Sequence, residues 1–169
     1  MLERHLFIIG MPGCGKSSLG KRTAKETGMP FADTDGLIAQ AAGCTVNEFF
    51  EQYGEAAFRT AETNSLSLLT RVRPSIISTG GGTAMNELNR RIMKNWGLIV
   101  LIDRPLEDIM GDIKLDRRPN LQAKGLGELE RLYYERMPVY RSFADVTLDN
   151  SQGYHAALAA MIRVANGYY

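Results

Sequence analysis

Eight consecutive residues constrain this chain more than any other feature: Gly10-Met11-Pro12-Gly13-Cys14-Gly15-Lys16-Ser17 fits the pattern G-x-x-x-x-G-K-[ST]. An apolar run, His5 to Ile9, leads into it, and an amphipathic stretch, Lys16 to Thr27, leads out. A strand that turns into a helix through such a loop points successive backbone N–H groups inward, and the helix N-terminus adds the positive end of its dipole. That cradle suits a polyphosphate, with Lys16 reaching the outer phosphates and the Ser17 hydroxyl offered to a magnesium ion. We therefore expect a nucleoside triphosphate site built from Gly13, Cys14, Gly15, Lys16, Ser17 and Ser18. Cys14 stands at a variable position where a small side chain suffices; beside a helix N-terminus its thiol could also be reactive beneath the nucleotide.

Beyond the loop, short apolar runs alternate with longer amphipathic segments, the pattern of βαβ units that build a parallel sheet. Strands are expected at His5–Ile9, Phe31–Ala32, Ser75–Thr79, Leu98–Asp103 and Ala144–Leu148. Helices are expected at about 16–27, 37–42, 46–70 with a break near Gly54, 87–95, 106–113, 127–141 and 154–164. At 169 residues, 44% hydrophobic and 23% charged, the chain suffices for one domain with a real core and is short for two. The expected fold is α/β: a single domain over 1–169, three layers deep, around a five-stranded parallel sheet.

With 20 Lys and Arg against 19 Asp and Glu the net charge is +1, which excludes a broad basic field for a nucleic-acid backbone. Cys14 and Cys44 show no disulfide pattern and fit a reducing cytoplasm. No apolar run approaches the roughly 20 residues of a membrane span, and the first residues do not read as a signal peptide. The expectation is a cytoplasmic monomer with small-molecule partners, and with neither nucleic acid nor membrane among them.

Several further patterns carry chemistry. Asp33-Thr34-Asp35 closes the second strand, at the carboxyl end where a doubly wound sheet binds its ligands. Either an Asp here is the N-cap of the next helix, or the two carboxylates divide between a hard cation and a substrate hydroxyl. Gly54-Glu55-x-x-Phe58-Arg59-x-x-Glu62 sets Arg59 and Glu62 on one helix face, as a surface ion pair or as a buttressed fork for a carboxylate. Gly80-Gly81-Gly82 is conformationally costly and offers no side chains, so something should approach that backbone closely. In Arg136-x-Pro138-x-Tyr140, Pro138 should break or kink a helix, and Arg136 is either an anion ligand or an exposed cation. The stretch 112–125, with Lys114, Arg117, Arg118, Pro119 and Lys124, is a solvated loop or a mobile lid over an anion. Tyr133, Tyr134, Tyr140 and Phe143 are expected in packing, and His5 and His155 in structural roles.

In order and spacing these motifs resemble the shikimate kinase family of P-loop small-molecule kinases, over nearly the whole chain. The match consists of Gly10 to Ser17, Asp33-Thr34-Asp35, Gly54 to Glu62, Gly80-Gly81-Gly82, Arg118-Pro119 and Arg136-x-Pro138-x-Tyr140. The resemblance implies the nucleoside monophosphate kinase type of P-loop fold, with a substrate-binding helical segment at about 34–62 and a lid at about 112–125. It also implies transfer of the γ-phosphoryl group of ATP to the 3-hydroxyl of shikimate, a step toward chorismate and the aromatic amino acids, with Mg2+ as cofactor. By the same resemblance Lys16, Asp35 and Arg118 are catalytic, and Arg118 also touches the nucleotide. Asp35, Arg59, Arg136 and the backbone at Gly80, Gly81 and Gly82 hold the acceptor, and Ser17 and Asp33 serve the metal. The chain departs from the family pattern at Gly111, where many relatives place an arginine near the adenine, and at Asn120 after the lid proline. Lys114, Arg117 or residues 150–153 would then serve the adenine. A kinase for another polyol acid, such as gluconate, would keep the phosphate loop without needing Arg59, the glycine triplet and Arg136 together. A regulatory relative would not need Lys16, Asp33, Asp35 and Arg118.

Overall fold

A strand can be apolar at every position only if both of its faces are covered. In the computed structural model, which describes residues 3–112 and 119–169, β1 (His5–Ile9) is buried at all of its positions. It lies at the centre of a parallel sheet between β3 (Ile76–Ser78) and β4 (Gly97–Asp103), with β2 (Phe31–Asp33) and β5 (Val146–Asp149) at the edges, in the order β2-β3-β1-β4-β5. The helices are α1 (Lys16–Thr27), α2 (Thr34–Ala42), α3 (Val46–Leu69), α4 (Glu87–Trp96), α5 (Leu106–Asp112), α6 (Pro119–Phe143) and α7 (Tyr154–Ala165). The β1-to-β2 crossover runs toward one edge and all later crossovers run toward the other. Right-handed crossovers therefore put α1 on one face and the following helices on the opposite one. Packing of α7 on α1 completes the first face, so the expected α/β/α layering holds.

Registers matter more here than layers. Ser78 is paired with Ile8 on one side and Asp33 on the other, so β1, β3 and β2 end level at the carboxyl edge. Thr79 reinforces this, its backbone N–H and its hydroxyl both donating to the Ile8 carbonyl. On the far side Asp103 and Asp149 are level, too. The loops that follow these strands share one rim, at the position where the crossovers change direction.

The expected strands stand within two residues of where the sequence places them, the first helix matches at both ends, and Gly54 breaks α3 with φ 78° and ψ 174°. Three of the differences have a physical reason or a consequence. First, α2 begins at Thr34 because Asp33 caps it, accepting from the Gly36 N–H. Second, β5 starts at Val146, two residues later than expected. Third, α6 begins at Pro119 and runs past Pro138 to Phe143, so the segment expected as loop is helical from 119 onward. Proline at a first helical position loses no hydrogen bond, and Leu, Gln, Ala and Lys follow it with good helix propensity. Lys114, Arg117 and Arg118 lie outside the described residues. Tyr140 is core and Tyr133 and Phe143 pack against it, but Tyr134 is 67% exposed. Among the described residues no helix is long and apolar enough to cross a membrane.

At the opposite end of the sheet, His5 is buried and its Nδ1 accepts from the Ser75 N–H at 3.3 Å. Burial lowers its pKa below 6.5, against a smaller upward pull from the Thr70 backbone. The unfolded chain therefore takes up this proton at a higher pH than the folded one, and the contribution of His5 to stability is lost as pH falls below about 6.5. Thermal unfolding followed by circular dichroism between pH 7.5 and 5 should show a smaller pH dependence for His5→Asn, which keeps an acceptor but does not titrate. Equal slopes for the two proteins would assign the acid sensitivity to other groups.

Candidate active site

The loop between β1 and α1 turns on glycines with positive φ, Gly10 at 141°, Gly13 at 86° and Gly15 at 104°. A side chain at Gly10 would also collide with the Ile102 carbonyl, 2.8 Å from its Cβ position. Gly15 caps α1 without any side-chain hydrogen bond, and the first turn holds no acidic residue, so the helix N-terminus is left to an anion. The Lys16 ammonium donates to the carbonyls of Gly10 and Met11, both at 2.9 Å. Ser18 is exposed on the first turn, with its carbonyl accepting from Tyr154. Cys14 is 0% exposed and faces Gly10 and Lys16, in keeping with a position where a small side chain suffices.

Level strand ends bring Ser17, Asp33 and Ser78 together. The Ser17 hydroxyl donates to Asp33 Oδ2 at 2.6 Å and lies 3.1 Å from the Ser78 hydroxyl. These are hard oxygen donors beside a phosphate loop, a set that fits a magnesium ion. Asp33 serves in addition as the α2 N-cap, so both readings of the Asp-Thr-Asp triplet apply to it. Thr34 is fully buried and accepts from the Gly80 N–H at 3.0 Å, which ties the start of α2 to the glycine triplet.

The triplet explains itself through what occupies the space its side chains would fill. A Cβ on Gly80 would stand 2.5 Å from Asp35 Oδ1 and 2.6 Å from Glu62 Oε1. One on Gly81 would meet Pro12, at 3.1 Å, and Arg136 Nη1, at 3.4 Å. One on Gly82 would fall 2.7 Å from the guanidinium carbon of Arg59. Asp35, Arg59 and Arg136 thus converge from three helices onto one side-chain-free turn beside the phosphate loop. Arg59 is held by Glu62 at 2.6 Å and by Glu55 at 2.9 Å. Burial disfavours its charge, but those two carboxylates more than offset this and raise its pKa. The pair is no surface ion pair, since the Glu62 side chain is 1% exposed. Arg136 Nε is buried without a hydrogen-bond partner among the described residues.

Sequence reasoning missed several contributors. The Tyr140 hydroxyl donates to the Gly81 carbonyl, and burial pushes it up to about 12, so it remains a donor at neutral pH. Tyr140 follows Arg136 by one helical turn, a spacing that could have revealed their common face. Asn150, expected toward the adenine, is buried and donates from Nδ2 to the Cys14 carbonyl at 2.9 Å. Arg104 leans from the end of β4 onto the Gly13 carbonyl at 3.4 Å and pairs with Asp112. Polar residues at the carboxyl ends of β4 and β5 were the available signal for both. At Gly111 a Cβ would meet nothing within 4 Å.

Comparison with known proteins agrees with this geometry. The family model described as shikimate kinase matches residues 12–165. A shikimate kinase of Clostridium botulinum (strain Eklund 17B / Type B) is 40% identical over 140 residues, 83% of this chain and 84% of the relative. One from Rhizobium meliloti (strain 1021) is 38% identical over 148 residues, 86% of this chain and 77% of the relative. Among solved structures, the shikimate kinase from Acinetobacter baumannii in complex with shikimate superposes with a TM-score of 0.88 at 31% identity, covering 97% of this chain and 93% of that one. The Aquifex aeolicus shikimate kinase gives a TM-score of 0.81 at 28% identity, with 96% of each chain covered. With the phosphate loop, the paired arginines and the glycine turn assembled as described, the chain belongs to the shikimate kinase family.

Proposed function

We propose that the protein transfers the γ-phosphoryl group of ATP to the 3-hydroxyl of shikimate, giving shikimate 3-phosphate and ADP. The observation that carries this reading is the glycine triplet, with Asp35, Arg59 and Arg136 packed into the space left by its absent side chains. Two guanidinium groups are a bidentate match for a carboxylate, and a carboxylate beside them can accept the proton of a hydroxyl on the same small ring. Arg59 and Arg136, with the backbone at Gly80, Gly81 and Gly82, hold the acid in this assignment. Asp35 orients the reacting hydroxyl and takes its proton. The loop amides of Gly13 to Ser18 cradle the nucleotide phosphates, while Lys16 and Arg118 stabilise charge on the transferring group. Ser17 and Asp33 would hold Mg2+, whose contribution is to neutralise phosphate charge. The two free cysteines fit a cytoplasmic setting, and the chain is assigned as a monomer.

A coupled assay of ADP release with MgATP and either shikimate, quinate, gluconate or no acceptor tests the assignment directly. Shikimate should stimulate release far above the rest; equal rates with all four would sink it. Lys16→Ala should lower kcat by at least about 100-fold, because a charge aimed at the transition state is lost. Asp35→Asn should lower kcat by about 100-fold or more while leaving the KM for ATP nearly unchanged. Arg136→Ala should act mainly on the KM for shikimate.

Gly82→Ala provides a steric test of the same turn. Its new methyl group would displace the Arg59 guanidinium, so the KM for shikimate should rise about tenfold or more while the KM for ATP stays near that of the parent. A parental KM for shikimate would show that the acceptor does not depend on where Arg59 sits.

A further inference from the structure

A buried carboxylate is tolerated only when its oxygens are supplied with donors. Glu62 receives one on each: Arg59 Nη1 on Oε2 and the Thr83 hydroxyl on Oε1, both at 2.6 Å. Thr83 is fully buried and follows the glycine triplet directly. It is fixed at both ends of its own backbone, its N–H donating to Gly80 O at 3.2 Å and its carbonyl accepting from Asn89 Nδ2 at 3.0 Å. Asn89 is itself buried in the first turn of α4, and its neighbour Arg90 donates to the carbonyls of Ala84 and Met85 just beyond.

We propose that Thr83 is a positioning residue for acceptor binding: its hydroxyl fixes the rotation of the Glu62 carboxylate, and thereby the direction in which Arg59 presents its guanidinium. The proposal rests on the assignment of Arg59 to the acceptor carboxylate. With Oε1 taken by Thr83, Glu62 offers Arg59 a single oxygen, which Nη1 takes, while Nε and Nη2 donate to Glu55 Oε1. Without that hydroxyl the Glu62 carboxylate is free to rotate, and Nη1 loses the fixed oxygen that sets the direction of the guanidinium toward the acceptor. Thr83 lies in the turn that also carries Gly81 and Gly82, so it keeps the backbone and the arginine that face the acid in register.

Thr83→Val removes the hydroxyl while keeping the shape of the side chain. The KM for shikimate should rise about tenfold, with kcat within about twofold of the parent and the KM for ATP unchanged. Thr83→Ser, which restores a hydroxyl, should return the KM to near its parental value. In an Arg59→Ala background the Val substitution should add less than about twofold, because residues that act through one interaction are non-additive. Should Thr83→Val not yield folded protein, Thr83→Ala removes the same hydroxyl and is read in the same way. A parental KM for shikimate in the Val variant would overturn the proposal. So would a Ser variant as impaired as the Val one, or a full Val effect without Arg59. If Arg59→Ala alone left that KM unchanged, the acceptor assignment underneath would fail. A normal Arg59→Ala loss beside a silent Thr83→Val would overturn the role of Thr83 alone.

Discussion

The pairing of Ser78 with both Ile8 and Asp33 is the constraint from which the rest of the site follows. In a parallel sheet every carboxyl end faces the same way, but only matched register makes neighbouring strands stop at the same height. Here the match is maintained by apolar burial along β1 and β3 and by the double hold of Thr79 on the Ile8 carbonyl. A slip of one residue in β3 would turn Ser78 to the other face and carry the glycine turn away from the phosphate loop. Ser17 would lose one of the two oxygens it touches, and Thr34 would no longer reach Gly80. The nucleotide half and the acceptor half of the site therefore share one structural reference, the level rim of three strands.

On that rim, charge is arranged by what the backbone omits. Asp35, Glu62, Arg59 and Arg136 need to approach one another closely, and ordinary side chains on residues 80 to 82 would keep them apart. Fixing three glycines in one conformation has an entropic cost, offset here by hydrogen bonds around the turn: the Gly80 N–H donates to Thr34, and Thr83 and Tyr140 donate to the Gly80 and Gly81 carbonyls. Negative charge is kept at the Glu62 end and in Asp35, and positive charge faces the turn from α3 and α6. A small anion with hydroxyl groups is complementary to this distribution, in keeping with membership of the shikimate kinase family.

What was legible in the sequence was local. Strand burial, the phosphate loop and the break at Gly54 are each written in a short window, because period, glycine and a Lys-Ser pair report on immediate neighbours. The Arg59–Glu62 spacing was visible as well, but not its burial, which depends on Thr83 some twenty residues away. Tyr140 read as packing because a single sequence shows that a ring is apolar, not that its hydroxyl meets a carbonyl on another element. The early start of α6 was hidden by charge: Lys and Arg near Pro119 look like a loop although neither opposes helix formation. Asn150 and Arg104 stand at strand ends, where function was to be expected, yet their partners are carbonyls of the phosphate loop that no pattern marks.

Those last two contacts bear on how a nucleotide is received. Two successive peptide groups of the loop, at Gly13 and Cys14, have their carbonyl oxygens engaged from the ends of β4 and β5, and Lys16 engages two more at Gly10 and Met11. Among these peptide planes the Cys14–Gly15 plane, pinned at its oxygen by Asn150, has its N–H aimed in the opposite direction, whereas the Cys14 N–H is itself donated to the Met11 carbonyl and Pro12 has none. The ordering entropy of the loop is thus lost when the chain folds, and a polyphosphate meets a preorganised nest whose binding energy is not spent on rearranging the backbone.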